Sequence, residues 1–411
     1  MHLLQRAVRP WVSELLSTSP IVVVEGARQV GKSTLVGMVA PETAVHATMD
    51  DDVTRAFASD DPVGFLRSAG PAGLLTIDEI QRCPELILPL KAEVDRDRRP
   101  GRFLLTGSAN LLRLPGAEDS LAGRAMTVRL RPFAQDELLG EPSDWVTSTL
   151  SGSPPAAVSS DRRDVVERLV TGGYPVVQGL TPRVRVAWLR DYANRLVQRD
   201  AADVASAHVA TLRKLLSLIA AAPMGELVGE RLAEALGVAR ATALRHLEIL
   251  EALFLVERVP SWSRSLTSRQ IQRPKVLLTD SGLAAALSGM SADHLASPRG
   301  SDHLGLLLEN FVACELMRQQ GWSATEFELS HYRDRHGAEV DIIVETPQGV
   351  LGVEVKSATV ARAGHFKNLI QLRDRLGSEF LAGVVLTTGT GQRAGDRLMA
   401  LPVDSLWTSK P

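Results

Sequence analysis

Gly26-Ala27-Arg28-Gln29-Val30-Gly31-Lys32-Ser33 follows the apolar run Ile21 to Val24 and opens onto Thr34-Leu35-Val36-Gly37-Met38-Val39. The order is strand, glycine-rich loop, helix, and the loop fits the P-loop pattern GxxxxGK[ST]. Glycines at Gly26 and Gly31 let backbone N–H groups close around phosphate oxygens. The helix behind the loop adds its partial positive N-terminus. Lys32 supplies a point charge for the β- and γ-phosphates, and the Ser33 hydroxyl is a ligand for magnesium. The stretch from Gly26 to Thr34 therefore implies a bound nucleoside triphosphate, with ATP and Mg2+ as the expected cofactors.

Holding phosphate is not hydrolysis, which calls for an acidic strand end. Leu74-Leu75-Thr76-Ile77-Asp78-Glu79 provides one. Asp78 is expected to hold the magnesium, directly through Ser33 or through water, and Glu79 to polarise the attacking water. Phe103-Leu104-Leu105-Thr106-Gly107-Ser108-Ala109-Asn110 is a further strand and its polar exit. In ATPases with an extra strand between the P-loop strand and the Asp-Glu strand, this exit faces the γ-phosphate. Thr106, Ser108 and Asn110 are its sensor candidates, with Ser108 and its immediate neighbours preferred.

Around this nucleus the strand-like runs Ile21–Val24, Leu74–Ile77, Phe103–Thr106 and Met126–Leu130 alternate with helical patterns, among them Glu85–Val94. This predicts an α/β domain with a parallel sheet over residues 1–139. Residues 140–163 are rich in Ser, Pro and Gly and read as a linker or surface excursion. Residues 164–290 are helical in pattern, with leucine stripes at Leu212, Leu215, Leu216 and at Leu244, Leu247, Leu250. Residues 303–411 form a last α/β segment.

With 411 residues, 45% hydrophobic and 23% charged, the chain has the composition of an ordinary globular protein of two or three domains. A net charge of −2 gives no overall basic field, so any nucleic-acid contact must come from a local patch. Cys83 and Cys314 lack metal-ligand spacing and read as buried free thiols. No apolar run reaches a membrane span, and Arg6, Arg9, Pro10 and Glu14 interrupt any signal-peptide pattern. A cytoplasmic protein with no membrane partner is expected.

Within the helical segment, Leu232–Val238 ends in a glycine turn, Ala239–Leu247 begins a second helix, and Phe254–Arg258 has the pattern of a wing. This resembles a winged helix-turn-helix, in which the second helix enters a DNA groove. Arg240, Thr242, Arg245 and His246 would face the nucleic acid, with Trp262, Arg264, Arg269 and Arg273 adding positive charge downstream. A helical hinge that relays nucleotide state is the alternative.

The last segment is chemically loaded. Glu339-Val340-Asp341-Ile342-Ile343 alternates, so Glu339 and Asp341 share one strand face, and Gly352-Val353-Glu354-Val355-Lys356 places Glu354 with Lys356. Asp341 followed 13 residues later by Glu-x-Lys matches the D…(D/E)xK pattern of restriction-endonuclease-like folds. Asp341 and Glu354 are candidate ligands for a second magnesium, and Lys356 would orient or deprotonate water. Glu309 joins them as a carboxylate on an otherwise apolar helix face with Val312, Ala313 and Leu316. Ordinary cross-strand Glu–Lys pairing is the plain alternative.

The pieces GARQVGKST, LLTIDEIQ, GRFLLTGSAN and LAGRAMTVRLRPF together resemble a bacterial AAA-type ATPase family. Its members carry a C-terminal domain of unknown function that is itself similar to a restriction endonuclease. TGGYPVV, WLRDY, RDAADV, LTDSGLAAAL and HGAEVDIIV…GVEVKS extend the resemblance over nearly the whole chain. It implies an AAA-like core with Lys32, Ser33, Asp78 and Glu79 in their usual roles, and an acidic residue on the helix before the last hairpin, where Glu309 stands. It also makes Arg124, in LAGRA, a candidate arginine meeting transferred phosphate charge, in cis or from a neighbouring subunit of a homo-oligomer. Arg102 is a weaker candidate, and a structural salt bridge is the alternative for Arg124.

The expected whole is a P-loop ATPase domain, a winged-helix middle and a nuclease-like end acting on DNA or RNA. The alternative is a signalling or scaffold ATPase whose C-terminal domains bind protein and whose nuclease-like site is inactive.

Overall fold

The computed structural model describes residues 3–108, 120–152, 161–204, 208–265, 267, 269 and 272–408. Asn110 lies outside the described residues. They form two compact units, residues 1–132 with 252–254, and residues 133–251 with 255–411.

The first unit is built on five parallel strands, β1 (Ile21–Glu25), β2 (Val45–Thr48), β3 (Leu75–Asp78), β4 (Phe103–Gly107) and β5 (Ala125–Arg129), in the order β2-β3-β4-β1-β5. β1 and β4 are buried along their whole length, which is why they read as unbroken apolar runs rather than alternating ones. β4 lies between β1 and β3, the extra strand that the sensor assignment requires. Ile21, Ile77, Phe103 and Leu105 share one core with Leu86, Ile87, Leu90 and Val94. The last three belong to the helix Ile87–Arg96, in whose first turn Pro89 is harmless.

The second unit holds two sheets. β6 (Gly225–Glu226), β7 (Val256–Val259) and β8 (Lys275–Leu278) form a small antiparallel sheet in the order β6-β8-β7, associated with helices Val209–Ala221, Gly229–Leu236 and Arg240–Ala252. Gly237, in the left-handed region, ends the second of these helices. The larger sheet has the order β13-β14-β12-β11-β10-β9, from β9 (Glu328–Arg333), β10 (Glu339–Thr346), β11 (Gly349–Lys356), β12 (Phe380–Thr387), β13 (Gln392–Gly395) and β14 (Leu398–Pro402). β9, β10 and β11 are antiparallel, whereas β11, β12 and β14 run parallel.

The helix Ser301–Gln319 is the spine of this unit. Asn310 closes both of its amide bonds on the backbone of Leu278, each at 3.0 Å. Arg318 pairs with Asp280 and Glu315, all fully buried. Asp280 also accepts the Gly173 N–H at 2.7 Å, and a Cβ at Gly172 would overlap its carboxylate. The TGGYP and LTDSG motifs are therefore one structural joint. These contacts bind the winged-helix-like and nuclease-like segments, expected as separate modules, into one unit.

The linker expected at 140–163 is corrected for its described residues. Trp145 is fully buried in a helix, Trp145–Leu150. Its backbone N–H meets Gln319 and its ring N–H meets Ser405. Asp144 caps that helix through Thr147 and also accepts from Ser323 and Ala324. Serine and proline content suggested a loop, but these hydroxyls and turns satisfy a packed segment instead. Residues 153–160 lie outside the described set. Cys83 and Cys314 are both buried, and neither is in a disulfide among the described residues.

Candidate functional site

The C-terminal ends of β1, β3 and β4 bring the nucleotide-site candidates together. At Gly26 the backbone has φ +154°, and a Cβ there would overlap the Leu130 carbonyl oxygen. Gly31 enters the helix Lys32–Val39 at φ +95°. Gln29 takes the left-handed region at φ 65°, a conformation a side chain adopts only when its surroundings impose it. Arg6 braces the next residue of the loop, donating to Val30 O at 2.8 Å and to Arg131 O at 2.7 Å.

Lys32 is buried inside this loop and donates to the Gly26 and Ala27 carbonyls at 3.0 and 3.1 Å. Burial lowers its pKa, and the negative charges of Glu79 and Asp78 oppose that while Arg28 adds to it. A buried ammonium whose near partners are carbonyls is well matched to an anion. Ser33 Oγ donates to Asp78 Oδ2 at 2.9 Å, and Thr106 Oγ1 donates to the other Asp78 oxygen. A hydroxyl and a carboxylate side by side form the hard oxygen set that magnesium takes with ATP.

Glu79 has φ 55°, an unusual position for a side-chain-bearing residue. Its N–H bonds Thr106 Oγ1 at 3.2 Å, and its carboxylate accepts Ser108 Oγ at 2.8 Å and the Gln81 amide. Ser108, the preferred sensor, thus touches the candidate base. Arg6 and Gln81 were not singled out from the sequence. Gln81 sits two residues past Glu79 and carries a local signal, whereas Arg6 precedes the loop by some twenty residues and carries none.

Arg124 is not brought to this cluster. β5 runs parallel to β1 with Ala125 beside Ile21 and Arg129 beside Glu25, so Arg124 stands at the opposite end of the sheet from the P-loop. Five residues of strand separate the two ends by about 16 Å. Both guanidinium contacts to Asp95 measure 2.8 Å. The action in cis is corrected by this geometry. Arg102 lies at the same end, donating to the Glu93 and Asp97 carbonyls.

In the second unit Glu309, Asp341, Glu354 and Lys356 do come together, with two further residues. Lys275 Nζ lies 2.8 Å from both Glu309 and Glu339. Lys356 Nζ lies 2.7 Å from Glu354 and 3.4 Å from Asp341, and Asp341 also accepts the Val355 N–H at 2.8 Å. Burial, reinforced by the Asp341 charge, pushes the pKa of Glu309 and of Glu354 upward, and Lys275 and Lys356 respectively pull the other way. Glu354 Oε1 is buried without a hydrogen-bond partner. The donor set suits a hard cation, but each carboxylate already meets a lysine, and among the described residues no group of three or more His, Cys, Asp or Glu is arranged to hold a metal. Lys275 was missed in the sequence. A strand lysine that is almost wholly buried is its only signal.

Of the four residues expected to face nucleic acid, Arg245 is exposed, Thr242 is half-buried, and Arg240 is exposed but paired with Glu230 at 3.0 Å. His246 is corrected: it is buried, with Nδ1 2.7 Å from Thr242 O. Trp262 is buried too, edge-on to Tyr332. Among the described residues no helix is long and apolar enough to cross a membrane.

The parallel sheet, its glycine-rich first turn and the paired acids at β3 define a P-loop domain, and its sequence match puts it in the AAA class. Residues 18–139 match the AAA domain family, residues 162–294 a domain of unknown function (DUF8612), and residues 304–406 another (DUF4143). The chain belongs to one family with uncharacterized protein Rv2008c of Mycobacterium tuberculosis and uncharacterized protein Mb2031c of Mycobacterium bovis. Each is 30% identical over 402 residues, covering 96% of this chain and 82% of theirs. Among solved structures, a RuvB variant of Thermotoga maritima is 17% identical over 62% of this chain and 89% of that one, with a TM-score of 0.27. PCH-2 of C. elegans is 14% identical over 60% and 67%, with a TM-score of 0.23. At these scores neither carries an argument.

Proposed function

We propose that this chain is an ATP-hydrolysing switch whose second unit acts on nucleic acid. One observation carries the hydrolytic part: Ser33, Asp78, Thr106, Glu79 and Ser108 form a continuous hydrogen-bonded chain at the strand ends beside the Lys32 loop. Gly26 to Thr34 would wrap the phosphates, with Lys32 as the charge. Ser33 and Asp78 would hold the magnesium that neutralises charge on the leaving phosphate. Glu79 would orient and deprotonate water, and Ser108 would couple that carboxylate to the presence of the γ-phosphate. Arg124 would serve a neighbouring subunit's nucleotide after leaving Asp95.

The nucleic-acid part draws on the helix–helix–sheet arrangement of residues 209–278, which has the order of a winged helix with Arg240 and Arg245 on its exposed side. Asp341, Glu354 and Lys356, with Glu309, would form a nuclease-like centre. A second reading is favoured by the lysines that already neutralise those carboxylates: a scaffold ATPase with an inactive centre, since a fold outlives its chemistry.

A steady-state ATPase assay of the full chain with and without single-stranded and duplex DNA and RNA, followed by gel analysis of those strands, tests both. Stimulation by nucleic acid is expected, and any magnesium-dependent nicking should vanish in Asp341→Ala and Lys356→Ala. A rate indifferent to every nucleic acid, with intact strands, supports the scaffold.

A further inference from the structure

A cavity of about 880 Å³ opens in the second unit between the start of helix Arg240–Ala252, the end of β7, the segment before β8, and β9 with β10. Four arginines line it, Arg240 from the helix, Arg258 from β7, and Arg269 and Arg273 from the segment before β8, together with the carboxylates Glu328 and Glu345. Guanidinium forks match phosphate oxygens in a way lysines do not. Three of the four are held in place by a carboxylate. Arg240 meets Glu230 at 3.0 Å, Arg258 meets Glu251 at 3.0 Å, and Arg269 grips Glu345 through both nitrogens at 2.6 and 2.7 Å. Arg273 is exposed and makes no ion pair among the described residues.

Two buried polar groups on the lining lack partners, Ser330 Oγ and Arg258 Nε. Such groups carry a desolvation cost that a polar occupant removes. Two residues of the lining are close in the chain to residues packed at the carboxylate–lysine cluster. Arg273 stands two residues before Lys275, which holds Glu309 and Glu339, and Ser330 adjoins His331, whose Nε2 lies 3.0 Å from Arg273 O.

We infer that this groove binds the phosphodiester backbone of a single nucleic-acid strand. The inference rests on the nucleic-acid part of the proposed function and names the surface that carries it. The groove is lined by forks at separated points, which suits a chain of repeated phosphates. Among the described residues no aromatic side chain lines it, so recognition is of the backbone and indifferent to base identity.

The test is fluorescence anisotropy of the full-length chain with a labelled 12-nucleotide strand, the matching duplex as comparison and a 12-residue polyglutamate as competitor. Arg273→Glu and Arg240→Glu should each weaken strand binding about tenfold and lower the steepness of the logarithmic salt dependence by about 0.7. Arg183→Glu, exposed and away from the lining, should change it less than twofold, and thermal melting confirms that each variant folds. Unchanged binding by the Arg240→Glu, Arg273→Glu double variant overturns the groove; if nucleic acid still stimulates the ATPase, the proposed function survives. Displacement of the strand by polyglutamate at equal concentration overturns it in favour of an acidic protein partner. Failure of the wild-type chain to bind any strand, with a flat ATPase response, removes both.

Discussion

The two charged sites of this molecule hold their ions in opposite ways. At the P-loop, the close partners of the charged groups are neutral. Lys32 lies on carbonyls of its own loop, Asp78 on the hydroxyls of Ser33 and Thr106, and Glu79 on Ser108 and Gln81. In the second unit every charge in the cluster faces its opposite, Lys275 against Glu309 and Glu339, Lys356 against Asp341 and Glu354. A hydroxyl yields a carboxylate to a cation at little electrostatic cost. A lysine does not, since opposite charges about 4 Å apart attract by about 4 kcal/mol at an effective dielectric constant of 20. The first site therefore suits the Mg-ATP proposed for it, whereas a metal at the second would have to displace lysines.

The comparison breaks first at Lys32. Lys32→Ala removes the buried ammonium of the loop and should abolish nucleotide binding and turnover, a loss of at least about 10²-fold in kcat/KM read by phosphate release. Retention of activity would mean that the buried ammonium is structural.

A smaller effect tests whether buried charge elsewhere in the second unit is equally confined. Asp136 is pushed up to about 7, chiefly by burial, then by the charges of Glu315 and Glu137, against hydrogen bonds from Ser143 N and Glu137 N. Its folded value lies above the ordinary carboxylate value of 3.8, so the folded state binds the extra proton between the two. Stability of the second unit should then fall as pH rises from about 4 to about 7. Melting curves of Asp136→Asn should show a shallower fall over that window than wild type, whatever the absolute cost of the substitution. An identical slope would place the titration elsewhere.

Legibility in the sequence followed the same divide. The P-loop, the Asp-Glu strand end and β4 were readable because each is a local pattern whose residues act where they stand. Thr106 and Ser108 could be named because a strand exit needs polar residues only where something polar meets it. Arg6 and Lys275 were invisible, since each reaches its partners through tertiary contact and leaves at most one odd charge in the chain. Arg124 misled because a motif gives no direction. Only the parallel register of β5 with β1 puts it at the far end of the sheet. Helical periodicity correctly placed the helix Arg240–Ala252 but could not tell that His246 turns inward onto Thr242. Composition alone made residues 140–163 a linker, although Trp145 anchors residues 145–150 in the core.

Glu79→Gln tests the central claim most directly, through ATP binding and phosphate release measured on the same preparation. Loss of the base predicts ATP affinity within a few-fold of wild type and turnover lower by about 10²- to 10⁴-fold. Wild-type turnover by this variant would contradict the role assigned to Glu79 and, with it, the hydrolytic switch built on that strand end.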